Sequence, residues 1–219
     1  MEFELSEAMR FLGVRGEPDE ALRADAAAVA ERLKRAVEPR YSYRVFPAVR
    51  SGGAVELRGS GLALPGALAE RMLSGCSHGV LLLCTLGAGF ERMLRAEQAR
   101  SMARAVILDA LGSAYVEAGC DAAEREIARR FPDRYLTDRF SPGYGDLPLA
   151  LQREICEALD AEKRLGVTLT DSLLMNPAKS VTAVIGLAEA PQPARIRGCG
   201  CCSMRENCAY RKGGTTCVS

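Results

Sequence analysis

The sequence lacks several features that would point to common classes of protein. It has no tryptophan and only one histidine, His78, which excludes mechanisms and metal sites that need several imidazoles. Lys and Arg number 29 against 28 Asp and Glu, and this balance argues against a dedicated nucleic-acid binder. The longest apolar run, residues 79–90, is far shorter than the ~20 residues of a membrane-spanning helix. The acidic amino terminus has no long apolar stretch, so we expect no signal peptide, no membrane partner and a cytoplasmic location.

Hydrophobic periodicity predicts strands towards both ends of a domain and long helices between them. Residues 80–84 form an unbroken apolar run that is typical of a buried strand, although a core helix is the competing interpretation. This order of elements predicts an α+β domain with a mostly antiparallel sheet flanked by long helices. The predicted helices cover residues 21–37, 91–130 and 148–165, and the predicted strands lie within residues 41–57, 80–84 and 181–187.

The long helical region also carries predictions about burial. Apolar side chains at helical spacing, among them Met102, Val106 and Tyr115, are expected to face the core. Acidic and basic residues alternate around Glu97, which predicts a solvated face. Lys179, beside the last strand, is expected to be solvated as well.

Cysteine is concentrated at the carboxyl end of the chain. We expect a domain over residues 1–187, a proline-containing linker over 188–194 and a cysteine-rich tail over 195–219. Four thiolates suffice for a zinc site or an iron–sulfur cluster, and the spacing does not decide between them. A redox-reactive or merely flexible tail is the alternative. Five of the nine cysteines lie in the tail, namely Cys199, Cys201, Cys202, Cys208 and Cys217. The others, Cys76, Cys84, Cys120 and Cys156, are expected to be buried small hydrophobes.

The most distinctive segment is the loop RFSPGYGD, residues 139–146. Arg139 can bind a carboxylate through two parallel hydrogen bonds. Gly143 and Gly145 let the backbone come close to a ligand, and Tyr144 offers a flat face with a hydroxyl. The alternative is a structural turn in which Arg139 forms an ion pair.

Residues 139–144 resemble the Arg-x-x-Pro-Gly-Tyr signature of the activation, or reactivation, domain of cobalamin-dependent methionine synthase. A second block agrees in order and spacing: Gly-Val-Thr-Leu-Thr-Asp-Ser at residues 166–172, Met-Asn-Pro at 175–177 and Ser-Val at 180–181. The resemblance implies the fold of that domain and binding of S-adenosylmethionine in a shallow groove. It also implies a task, which is to support reductive methylation of cob(II)alamin.

The resemblance further implies roles for individual residues. Arg139 should bind the carboxylate region of the ligand, while Ser141 and Gly143 supply backbone contacts. Tyr144 should line the groove. Glu117, on the long helix one turn beyond Ser113, should meet the positive charge of the ligand.

The partners implied are a cobalamin-dependent methionine synthase that lacks its own activation domain, or another corrinoid protein. A one-electron donor such as flavodoxin or ferredoxin is needed too. The chain would then be an auxiliary component of a methyltransferase, without independent turnover.

Two departures from the family pattern motivate an alternative function. The family's Cys-Pro-Asp-His after the tyrosine is replaced by residues 147–150, and a family tyrosine falls near Ile185. In the alternative, the groove is vestigial, and the tail makes the chain a metal- or iron–sulfur-bearing interaction or electron-transfer module acting on a corrinoid protein.

Overall fold

The computed structural model describes residues 2–14, 16–193, 206, 207 and 212. The five cysteines of the tail, predicted to bind a metal, lie outside these residues. Within the described part of the chain, no helix is both long and apolar enough to cross a bilayer.

The helices are α1 (Leu5–Phe11), α2 (Glu20–Ala36), α3 (Ala67–Met72), α4 (Gly87–Gln98), α5 (Met102–Arg130), α6 (Leu151–Ala158) and α7 (Ala161–Leu165). The strands are β1 (Arg40–Ser51), β2 (Ala54–Leu57), β3 (Leu62–Pro65), β4 (Cys76–Thr85), β5 (Tyr135–Leu136), β6 (Thr168–Leu169), β7 (Met175–Asn176) and β8 (Ser180–Ala188).

Six strands form one sheet in the order β3-β2-β1-β4-β8-β5, in which all neighbours are antiparallel. The strands β6 and β7 form a separate hairpin. Pro47 lies where β1 changes partner from β4 to β2. Proline has no N–H for the ladder, and its carbonyl accepts a hydrogen bond from the backbone of Arg58 at 2.9 Å. The α+β prediction is confirmed.

Both faces of the sheet are covered, which explains the unbroken apolar run in β4. Val80, Leu82 and Cys84 pack on the side of α1, α2, α4 and α5. Leu81 and Leu83 alternate with them and pack on the side of α3, α6 and α7. The strand interpretation of this run is therefore confirmed, and the core-helix alternative is wrong.

Helix α5 packs closely on the first of these faces. The side chain of Ser101 caps its first turn by accepting a hydrogen bond from the backbone of Arg104. This cap separates α4 from α5, so the helix predicted over 91–130 is two helices. A Cβ on Gly112 would lie 2.5 Å from Cε2 of Phe90, and one on Gly119 would lie 2.6 Å from Sγ of Cys84. Both glycines let the helix approach its neighbours.

Other expectations about these helices are wrong. Met102 is 63% exposed and Val106 53%, because the core-facing side of α5 is formed by residues such as Leu108 and Leu111. The helix predicted over 148–165 is likewise two helices, separated at Asp160, whose φ of 51° is left-handed.

Two charged side chains expected in solvent are held by partners. Glu97 is 3% exposed and accepts a hydrogen bond from Arg32 at 2.7 Å. The ammonium of Lys179 lies 2.8 Å from Oγ of Ser113 and 3.0 Å from Oδ2 of Asp109. Local sequence patterns did not reveal these partners, because the partners come from distant parts of the chain.

Candidate functional site

The RFSPGYGD loop is fixed to the outer edge of β8. The backbones of Phe140 and Val184 exchange hydrogen bonds of 3.0 and 2.7 Å, and the Thr137 N–H donates to the carbonyl of Gly186. The Phe140 side chain is buried with the cluster on the α6 side of the sheet. Neighbouring side chains of an extended segment point to opposite faces, which directs Arg139 towards α5.

Arg139 lies among three carboxylates of α5. Its Nη1 is 2.5 Å from Oδ1 of Asp121 and 2.5 Å from Oε1 of Glu124, and its Nη2 is 2.5 Å from Oε2 of Glu117. Only 11% of the Arg139 side chain is exposed. Burial alone would lower the pKa of Arg139, but attraction to Glu124 and Glu117 and the hydrogen bond to Asp121 raise it above its ordinary value. The guanidinium stays charged, and the four side chains together carry a formal charge of −2.

The loop itself is a tight turn that presents an aromatic side chain. The Tyr144 N–H donates to the carbonyl of Ser141 at 3.1 Å, and the Gly143 N–H donates to the carbonyl of Leu147 at 2.8 Å. Gly143 has a φ of 86° and Gly145 a φ of 58°, a conformation that glycine adopts without strain. Tyr144 is exposed at the tip of the turn.

Asp146 fastens the end of this loop to α3. Its carboxylate accepts hydrogen bonds from the backbone N–H groups of Ala67 at 2.7 Å and Leu68 at 3.0 Å. The hydrogen bonds from Leu68 and Ala67 lower the pKa of Asp146. A Cβ on Gly66 would lie 2.7 Å from Oδ2 of Asp146, so the absence of a side chain at Gly66 permits this approach.

The structure brings the predicted site residues together in part. Glu117 contacts Arg139 directly, while Ser141, Gly143 and Tyr144 belong to the turn that follows Arg139. In this structure Arg139 forms the ion pairs that the alternative interpretation expected.

Sequence reasoning missed Asp121 and Glu124. Their spacing of four and seven residues after Glu117 puts all three carboxylates on one helical face, which is a usable signal. Ile185, the position near which a family tyrosine falls, is fully buried in the core on the α5 side of the sheet. Asp146 gave no local signal, because its partners are 78 and 79 residues away.

The scattered cysteines behave as core residues. Cys84, Cys120 and Cys156 are buried, and Cys76 is half-buried. The hydrogen bond with Cys84 is the main cause that raises the pKa of Cys120, and burial is the second. Burial raises the pKa of Cys156 to about 11. The thiols of Cys120 and Cys156 therefore stay protonated at neutral pH. Among the described residues, no group of three or more His, Cys, Asp or Glu side chains could hold a metal ion.

Comparison with known proteins places this architecture. The chain is similar to the crystal structure of the MetH reactivation domain bound to AdoHcy, with a TM-score of 0.71 and 19% sequence identity. The similarity covers 98% of this chain and 82% of that one, and at this identity it shows the fold. No curated protein matches the sequence significantly. The family model described as "Vitamin B12 dependent methionine synthase, activation domain" matches residues 82–197, just over half of the chain. The chain therefore belongs to the family of vitamin B12-dependent methionine synthase activation domains.

Proposed function

We propose that this protein binds S-adenosylmethionine at the Arg139 loop and offers its methyl group to the reduced corrinoid of a partner protein. Family membership over residues 82–197 is the observation that carries this proposal. The shared fold with a reactivation domain whose structure contains AdoHcy, the demethylated form of the ligand, supports it.

The charges of the Arg139 cluster suit a ligand with both signs of charge. The ligand's carboxylate displaces Glu117 from the guanidinium of Arg139, and Glu117 turns to the ammonium or sulfonium group. Asp121 and Glu124 keep Arg139 in place during this exchange. The negative excess of the cluster favours a ligand with a net positive charge. Ser141 and Gly143 supply backbone contacts, and Tyr144 covers the bound ligand.

The proposed reaction needs no acid or base from this chain. The corrinoid supplies the nucleophile after one-electron reduction, the methyl carbon bonds to its cobalt, and the electron pair of the broken C–S bond stays on sulfur. The chain's own residues bind and orient the sulfonium. A site without a catalytic histidine is consistent with this role, because the only histidine, His78, lies in β4.

The partner in this proposal is a cobalamin-dependent methionine synthase without its own activation domain, or another corrinoid protein. The electron comes from a donor such as flavodoxin or ferredoxin. The chain is then an auxiliary component of a methyltransferase, working in the cytoplasm.

A reconstituted assay tests the proposal. The partner synthase in its cob(II)alamin form is mixed with the reductant and S-adenosylmethionine, with and without this chain. We expect methionine synthesis to recover only when the chain is present. Arg139→Gln should abolish the recovery, whereas Arg164→Gln, which removes an exposed arginine paired with Asp160, should preserve it. Recovery that does not depend on the chain contradicts the proposal.

The five tail cysteines favour a second function, that of a metal- or iron–sulfur-bearing electron-transfer module. The chain truncated after Pro193 separates the two. Unchanged ligand binding and reactivation favour the first function, while loss of reactivation with ligand binding intact favours the second.

A further inference from the structure

The first half of β1 is an open edge of the main sheet. Residues 40–47 pair with β4 on one side of the strand, but β2 pairs only with residues 48–51 on the other side. The carbonyl of Pro47 points to this second side, where it accepts a hydrogen bond from the backbone of Arg58. In the described part of the chain, the residues of β1 before Pro47 therefore have no neighbouring strand on that side.

This edge presents unpaired backbone groups. The backbone N–H and C=O of one strand residue point to one side, and those of the next residue point to the other. Alternation from Pro47 places the backbone groups of three residues on the open side, namely Tyr41, Tyr43 and Val45. None of the described residues forms a hydrogen bond with these groups. An edge of this kind is a template for pairing with another extended chain.

The open stretch lacks the usual protection of an edge strand. Natural edges are interrupted by prolines, lysines or bulges. Pro39 and Pro47 flank the stretch without interrupting it, and residues 40–46 contain no lysine. Their register with β4 runs without a shift. The tyrosine, valine and phenylalanine side chains within the stretch also favour extended structure.

A second copy of the chain fits this edge in one antiparallel register, in which Tyr43 lies opposite Tyr43 of the other copy. Tyr41 then lies opposite Val45 of the other copy, which is a favourable pair of an aromatic and a β-branched side chain. Each of these pairs joins two residues whose backbone groups point outwards, so each pair can exchange two hydrogen bonds.

The alternate side chains are complementary in the same register. Arg44 lies opposite Ser42 of the other copy, so no like charges meet. Arg40 lies opposite Phe46 of the other copy, where a guanidinium can stack on the ring. A contact of this type exists within the chain, because the guanidinium carbon of Arg44 lies 5.2 Å from the centre of the Phe46 ring.

The neighbouring registers are unfavourable. An axis at Ser42 places Arg40 opposite Arg44 of the other copy, and an axis at Arg44 places this arginine opposite itself. An axis at Tyr41 or Val45 brings a proline, which has no N–H, into an outward-pointing pair. The sequence of the edge therefore selects the register centred on Tyr43.

We infer that two copies of this chain associate through residues 40–46 of β1, with Tyr43 on the twofold axis, and that the sheet continues from one copy into the other. The net charge of +1 leaves little long-range repulsion between the copies. The Arg139 loop lies beyond β8, towards the opposite edge of the sheet, so the pairing does not use it. The inference is independent of the proposed function.

Sedimentation equilibrium of the full chain tests the inference with opposite charges at one position. Ser42→Glu places a carboxylate opposite Arg44 of the other copy, and the symmetry repeats this pair. Ser42→Arg places a like charge there instead. We expect the dimer dissociation constant to fall about fivefold in Ser42→Glu and to rise about fivefold in Ser42→Arg. Ala103→Glu and Ala103→Arg make the same charge changes at an exposed residue of α5 and should leave the constant unchanged.

Amide hydrogen exchange locates the contact. The N–H groups of Tyr41, Tyr43 and Val45 should exchange slowly only at concentrations where the dimer forms, and Ser42→Arg should speed their exchange at the same concentration. A chain that is monomeric up to millimolar concentration overturns the inference. So do two Ser42 variants that shift the dissociation constant in the same direction. Protection of the three amides that appears only when a corrinoid protein is added also overturns it, because the edge would then serve that partner.

Discussion

Nη2 of Arg139 lies 2.5 Å from Oε2 of Glu117, joining the loop after β5 to the middle of α5 across 22 residues of sequence. The family resemblance implies that these two residues bind groups of opposite charge on one ligand. In the structure each is a partner of the other. The candidate site is thus held together by its own ion pairs, and the proposed binding of a ligand at Arg139 requires an exchange of partners.

We expect Arg139→Gln to lower the free energy of unfolding by about 2 kcal/mol. Removing the guanidinium leaves three neighbouring carboxylates without their counter-ion, and this repulsion is the main cost. Urea unfolding measures the change. Adding Glu124→Gln to Arg139→Gln should recover part of the loss, because it removes one of the repelling charges. Arg164→Gln should change the value by less than about 0.5 kcal/mol. Equal stability of Arg139→Gln and the unaltered protein would mean that the cluster contributes nothing to the fold.

Gly112→Ala should destabilise the protein by about 1–3 kcal/mol, because the added Cβ overlaps the ring of Phe90. At an unconstrained position within a helix the same change stabilises by about 1 kcal/mol. The sign of the effect therefore tests the packing of α4 on α5. Thermal or urea unfolding provides the measurement. In a Phe90→Leu background, Gly112→Ala should cost clearly less, and a cost that does not depend on residue 90 would contradict the packing described.

Asp146 should make the stability of the fold dependent on acid pH. Its pKa is lower in the folded protein than in the unfolded chain, so its contribution is present above the ordinary aspartate pKa of about 3.9 and disappears as the pH falls through the lower, folded value. Asp146→Asn should therefore be less stable than the unaltered protein at pH 7. The difference between the two unfolding free energies should shrink as the pH falls below about 3.9. A difference that stays constant between pH 7 and pH 3 would show that the ionised carboxylate does not cap α3.

The tail cysteines predict that the protein binds either zinc or an iron–sulfur cluster. Protein purified without oxygen should contain metal in elemental analysis, and truncation after Pro193 should remove it. Absorption near 400 nm identifies the cluster, and zinc without such a band identifies the other form. A full-length protein with no more metal than the truncated one refutes the prediction.

The sequence predicted those parts of the fold that depend on local patterns. The run at residues 80–84 identified the central strand, and the strands predicted within residues 41–57 are β1 and β2. Local patterns predicted the wrong environment for side chains whose partners lie far away in the sequence. Glu97 pairs with Arg32, which lies 65 residues away in the sequence, and Lys179 pairs with Asp109, which lies 70 residues away.

The candidate site, too, was predicted from the sequence only in part. The RFSPGY motif located the loop, and the resemblance drew attention to Glu117. The completion of the cluster by Asp121 and Glu124, and the anchoring of the loop by Asp146, depend on how α5 and α3 pack against it. These contacts arise only from the tertiary structure.

Calorimetric titration of S-adenosylmethionine into the purified chain, with Arg139→Ala as the comparison, tests the central claim most directly. We predict saturable binding to the unaltered chain and binding at least tenfold weaker in the variant, because the proposed site uses Arg139 to bind the ligand's carboxylate. Circular dichroism of the variant should first establish that it is folded. No binding at millimolar ligand, or equal binding by the folded variant, would contradict the placement of S-adenosylmethionine at the Arg139 loop.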